Sequence, residues 1–202
     1  MALNIAVSLR SQDKKVVIYD LDMTKPLFRS RDVRDVFEKK GIIICCSEQF
    51  MDAPVSNIGV KNAIKENNKY VILDVGGNEN GARAIGEYKN VLMNDDTCFF
   101  YIINPYRAWS GTIEHIDGIL GAVLNASRTE LKRIKFIANP NYGINTDAED
   151  VVNGCKRLKE MLDPYAEISL CMVKKDLIGA VEEKIDIPVF PIEVFMPYPW
   201  EG

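Results

Sequence analysis

Short, continuous apolar runs alternate with segments of helical period along the whole chain, and this constrains the fold more than any other feature. The runs are KVVIYDLD (residues 15–22), GIIICCS (41–47), YVILDV (70–75), CFFYII (98–103), IKFIA (134–138) and the stretch 167–173. Each is too short to cross a membrane, which takes about 18 apolar residues, and each lacks the polar/apolar alternation of a half-exposed strand. Runs of this kind suit strands covered on both faces.

Helical segments fill the gaps. Residues 1–11 form a helix with Leu3, Ile5, Ala6 and Leu9 apolar. Residues 30–40 read as a helix that stops at Gly41. Helices are also expected late in 53–68, over 81–88 and near 176–183. The clearest spans 110–127, where Ile113, Ile116, Leu120, Val123 and Leu124 share one stripe. Thr146 and Glu149 read as a capping box opening a helix to about Leu162. Residues 188–194 give a final extended segment. This order predicts an α/β fold: a three-layer, mostly parallel sheet with helices on both faces, in a single domain over 1–202.

Composition excludes several functions. The net charge of -4 gives no general reason to bind nucleic acid or an anionic membrane. His115 is the single histidine, so a His-rich metal site is excluded. The five cysteines contain no C-x-x-C pair. They are expected to be free thiols, mostly buried, in a reducing cytosol. The expected location is cytoplasmic.

In open α/β sheets, ligands bind beyond the carboxyl ends of the strands. Asp20 and Asp22 follow the first strand, Asp74, Gly76 and Gly77 the third, Asn104 and Arg107 the fourth, and Asn139 and Asn141 the fifth. Carboxylates at neighbouring strand ends can hold magnesium through water, and a Gly-Gly pair lets backbone N–H groups approach a phosphate. The same residues also serve as turn formers and caps, so the pattern alone leaves both readings open. No G-x-G-x-x-G follows any strand, which argues against a dinucleotide-binding fold.

The sequence also resembles the MinD/ParA branch of P-loop NTPases. Ala2-Leu3-Asn4-Ile5-Ala6 looks like the x-Asn-Leu-Ala helix that follows the family's P-loop. Asp20-Leu21-Asp22 matches its Asp-x-Asp, and residues 70–77 are similar to a Walker B strand. Pro26, Phe28, Arg29 and Arg31 resemble the P-x-F-R-S-R stretch of one bacterial subgroup, and IPVFPI looks like the family's last strand. The resemblance implies a nucleotide-dependent switch that dimerises around ATP and Mg2+ and engages a protein partner. Asp22 would position the attacking water, and Asp20 and Asp74 would hold magnesium through water. Gly76 and Gly77 would meet the terminal phosphate, Asn139 would read adenine, and Arg29 and Arg31 would grip phosphate or a partner, with solvated surface arginines the other reading of that pair.

One departure is large. The G-x-x-x-x-G-K-[ST] loop that cradles phosphates is absent from all 202 residues, as is the strand before it. The expectation is a working protein with about twenty further upstream residues, by usual strand and loop lengths. As written, the chain is expected to be catalytically inactive. The alternative is a non-catalytic interaction module on the same fold, using Arg29, Arg31, Asn104 and Arg107. No amphipathic membrane helix closes the chain, whose tail reads MPYPWEG.

Overall fold

A computed structural model describes residues 1–22, 29–46 and 58–196. Pro26, Phe28, the start of the 53–68 segment and most of the MPYPWEG tail lie outside the described residues. The chain divides into two compact units. The first comprises Met1–Asn94, Ala126–Arg128 and Val194–Gly202, and the second Asp95–Asn125 and Thr129–Glu193.

The first unit holds a three-stranded parallel sheet of β1 (Val16–Asp20), β2 (Ile43–Cys46) and β3 (Tyr70–Asp74), in the order β2-β1-β3. β1 is central because its apolar side chains are buried on both faces; Val16, Val17 and Ile18 are all in the core. Val16 and Ile18 pack with Leu3 and Ala6 of α1 (Ala2–Arg10) and Phe37 of α2 (Arg34–Glu38). Side chains alternate across a strand, so Tyr19 leaves by the other face. Its hydroxyl donates to the Gly59 carbonyl (3.2 Å) in α3 (Ile58–Lys65). Helices therefore lie on both faces, as expected. Two short helices, α4 (Glu79–Gly86) and α5 (Lys89–Leu92), follow β3.

The helix expected over 30–40 is two pieces: a 3-10 turn, Ser30–Val33, then α2. Asp32 accepts from the Arg29 backbone N–H (2.9 Å), and Val33, at φ -116° and ψ 18°, breaks the helical path between the pieces. Gly41 does end this segment. Its φ of +73° is a left-handed conformation that glycine adopts freely.

The second unit holds four parallel strands: β4 (Phe99–Ile103), β5 (Ile134–Ala138), β6 (Ile168–Lys174) and β7 (Val189–Ile192), paired in chain order. Phe136, Ala138, Cys171 and Val173 meet Ile116 and Leu120 of α6 (Ile113–Ser127), Leu158 of α7 (Ala148–Leu162) and Val181 of α8 (Ile178–Glu182). Ile137 and Met172, which alternation sends to the opposite face, are buried too.

The cap of α7 falls one residue later than the sequence suggests. Asp147 accepts from the Asp150 N–H (2.8 Å), and Asp150 accepts from the Asp147 N–H (3.1 Å). Thr146 is occupied elsewhere: its hydroxyl accepts from the Tyr142 N–H (2.9 Å) and donates to the Gly143 carbonyl (2.7 Å).

The expected single sheet is thus two sheets. Among the described residues, β3 pairs only with β1 and β4 only with β5. Both carry the continuous apolar sequence of interior strands, yet both stand at sheet edges. On β4, Phe100 and Ile102 are exposed.

Candidate functional site

The carboxyl ends of β1 and β3 bring three of the expected residues together. Asp20 and Asp74 are direct partners in the parallel register, and the Leu21 N–H donates to the Asp74 carbonyl (2.8 Å) just beyond. Asp22 is buried two residues on. The register explains why the two acids meet: each ends an apolar run of the same length, so aligning the runs aligns the acids.

Asp20 has a fully buried side chain, and its oxygens are taken up by the protein. Oδ2 accepts from Arg31 Nε (2.8 Å) and the Arg31 backbone N–H (2.9 Å). Oδ1 accepts from Arg31 Nη2 (2.9 Å) and the Asp22 backbone N–H (3.1 Å). Four donors fill the roughly four acceptor sites of a carboxylate. Arg31 Nη2 also donates to the Asp22 carbonyl (3.0 Å), which pins the Asp-Leu-Asp turn. Burial alone would raise the Asp20 pKa. The hydrogen bonds and charge of Arg31 outweigh it and hold the carboxyl below its ordinary range. The paired guanidinium is raised in turn, chiefly by its hydrogen bond to Asp20.

Asp74 behaves oppositely. Burial pushes its pKa up, and the neighbouring charges of Asp20 and Asp22 push the same way. The positive charge of the Met1 ammonium only partly offsets this. The Met1 amine is itself lowered by burial, with Asp74 acting against that.

Gly76 is buried and Gly77 exposed in the turn after β3. This turn is shaped around α4. The Asn78 side chain caps the helix by accepting from the Gly81 N–H (3.0 Å). A Cβ on Gly81 would lie 2.2 Å from the Gly76 carbonyl oxygen, so only glycine fits there. Glu79 pairs with Arg83 (2.7 Å) within α4. Arg29 pairs with its near neighbour Asp32 (3.6 Å).

The asparagines belong to the second unit. Asn139 follows β5, half-buried, with its backbone N–H donating to the Ile103 carbonyl (2.8 Å). The Asn104 amide donates to the Asn141 carbonyl (2.7 Å), and its oxygen accepts from the Tyr106 N–H (3.1 Å). Asn104 therefore ties the loop after β4 to the loop after β5. Tyr106 and Tyr142 stack there (3.9 Å between centroids), and Arg107 lies 5.9 Å from the exposed Trp109 ring.

The sequence reading missed the role of Arg31 as the partner of Asp20, as well as the steric demand at Gly81. The only signal for the first was one of three arginines in the 29–34 stretch, eleven residues beyond a strand-end Asp, and no local pattern marks Arg31 out from its two neighbours.

Asp20 has no lone pair left over, and Asp74 sits where burial favours its neutral form. Among the described residues, no group of three or more His, Cys, Asp or Glu could hold a metal ion. None of the 202 residues supplies a Lys-bearing phosphate loop. These residues do not by themselves fit a magnesium–nucleotide complex.

No protein-family model matches the sequence, and no curated protein matches it. Among solved structures, the chain is similar to FtsY from Mycoplasma mycoides, at 14% identity and a TM-score of 0.37, over 93% of this chain and 53% of that one. It is also similar to the signal recognition particle 54 kDa protein from Aeropyrum pernix K1 in complex with GDP, at 12% identity and a TM-score of 0.41, over 96% of this chain and 38% of that one. The chain thus spans about half or less of these relatives. Likeness at these values carries neither family nor activity across.

Proposed function

We propose that the chain is a nucleotide-switch domain of the MinD/ParA type that is catalytically silent in its 202-residue form. One observation supports the reading best: Asp20 and Asp74 end adjacent, in-register strands, with Asp22 and the Gly76-Gly77 turn directly beyond them. The silence follows from two features of the chain. The Asp20 carboxylate is taken up by Arg31 and the Asp22 backbone N–H, and the sequence holds no Gly-Lys-[ST] loop to cradle a triphosphate. ATP as the ligand, a homodimer and a protein partner are part of this proposal and rest on the sequence resemblance.

The test is equilibrium binding of fluorescent ATP and GTP analogues with Mg2+ to two polypeptides. One is the 202-residue chain. The other is the same chain extended upstream by its own coding sequence through a strand and a Gly-Lys-Thr loop. The first is expected to show neither binding nor turnover, and the second to bind. Turnover by the 202-residue chain would refute the silence. An upstream sequence that lacks such a loop, or an extended chain that binds neither nucleotide, would refute the switch.

The second reading, a non-catalytic interaction module, is favoured by the Asp20–Arg31 pair itself. A charge pair so fully satisfied is what a structural role requires. That reading expects no nucleotide binding by either polypeptide.

A further inference from the structure

Cys155 on α7 and Cys171 on β6 place their sulfurs 2.8 Å apart. Both residues are almost wholly buried, at 1% and 0% exposed, in the core of the second unit. Nonbonded heavy atoms rest comfortably at about 3.5–4.0 Å, whereas a disulfide bond is about 2.0 Å. The two sulfurs are therefore already inside ordinary contact distance, and under about 1 Å of approach separates them from a bond. The other thiols sit differently: Cys98 is exposed, and Cys45 and Cys46 are half-buried neighbours on a single strand.

We propose that Cys155 and Cys171 are an oxidation site that closes as a disulfide, stapling α7 to β6. The oxidant is a small-molecule disulfide. One cysteine thiolate attacks it, an S–S bond forms to the protein, and one small thiol leaves. The second cysteine then attacks that mixed disulfide and expels the second small thiol. Two protein thiols are oxidised by two electrons, one small disulfide is reduced to two thiols, and the protons of the cysteines end on the leaving thiols. The hydrogen bond with Cys155, and burial after it, push the Cys171 thiol up, and both sulfurs are closed off from solvent, so the exchange waits for local opening of the core. For that reason the bond forms most readily while the unit is folding, when both sulfurs are accessible.

The bond would close a loop between residues sixteen apart in sequence. It restricts the unfolded chain while asking little movement of the folded one. The remaining core cluster around it, including Leu158 and Val173, is already packed.

The experiment is to refold the reduced, denatured chain in a glutathione redox buffer. Free thiols are then counted after denaturation, and the product is mapped by peptide mass spectrometry. The five thiols are expected to fall by two, with one cross-linked peptide pair joining Cys155 to Cys171. Cys98→Ser should still lose two thiols, and Cys171→Ser should lose none. The oxidised form should melt roughly 6–12 °C above the reduced one, and fall back on addition of reductant. Retention of all five thiols, a link through Cys45, Cys46 or Cys98, or equal melting of the two forms would each overturn the proposal.

Discussion

Replacing Arg31 with Met tests the central observation about the strand-end acids. The substitution removes the guanidinium bonds from Nε and Nη2 to the buried Asp20 carboxylate, and the Nη2 bond to the Asp22 carbonyl. Breaking a buried pair by deleting one partner costs about 3–5 kcal/mol. Two backbone donors, from residues 31 and 22, remain on Asp20, and the Arg31 side chain is 18% exposed, so water can reach the gap. Both points favour the lower end, about 3 kcal/mol, which for a chain of this length is a fall of roughly 6–12 °C in Tm. The pH dependence carries a sign. In the wild type the Asp20 pKa is lowered, so its contribution is present above the unfolded value and is lost as acid drives the pH through the folded value. In Arg31→Met burial raises the Asp20 pKa, and protonation relieves the penalty. The gap between variant and wild type should therefore be widest at pH 7 and shrink toward pH 4. Thermal melts followed by far-ultraviolet circular dichroism at several pH values read this directly. The double variant Asp20→Asn, Arg31→Met should lose less than Arg31→Met alone. A variant within 1 °C of wild type at pH 7 (roughly a quarter to half of a kcal/mol), or a gap that ignores pH, would refute the reasoning.

Asp74→Asn should raise Tm at neutral pH. The folded pKa of Asp74 is raised, so wild-type stability falls as pH climbs from the unfolded value through the folded one, and melts of the variant should lack that slope. Gly81→Ala should destabilise by several kcal/mol, because its Cβ would lie 2.2 Å from the Gly76 carbonyl oxygen; urea titration would show it, and a neutral result would mean the turn relaxes freely. Asp147→Ala should cost about 1 kcal/mol as a lost cap, while Glu149→Ala should cost almost nothing, so paired chemical denaturation curves decide the register of the α7 start.

Much of the fold was legible because buried strands write a distinctive sequence. The runs at 15–22, 70–75 and 134–138 each became a strand, within a few residues at the ends. The meeting of Asp20 with Asp74 was legible as well, since both end such runs. Arg31 was not, because its pairing depends on how a 3-10 turn returns the chain to β1, and nothing local encodes that. The α5 helix was missed because four residues are too few to show a period. The division into two sheets was hidden for a different reason: an apolar run reads the same whether its strand ends up inside a sheet or at its border. The cap of α7 slipped by one residue because Thr146 and Asp147 are both good capping residues, and the choice is made by what the preceding loop demands of Thr146.

The position of β3 at a border has a consequence for amide exchange. The Tyr70 N–H donates to the Lys15 carbonyl, and the Leu21 N–H donates to the Asp74 carbonyl. With the parallel register between them, these bonds turn the amides of residues 70, 72 and 74 toward β1 and those of Val71 and Leu73 outward. In deuterated solvent the strand should label at every second residue, fast at 71 and 73 and slow at 72. Any chain segment that adds itself to this border would slow 71 and 73 and leave 72 as it was, so two amides report occupancy of the border on their own.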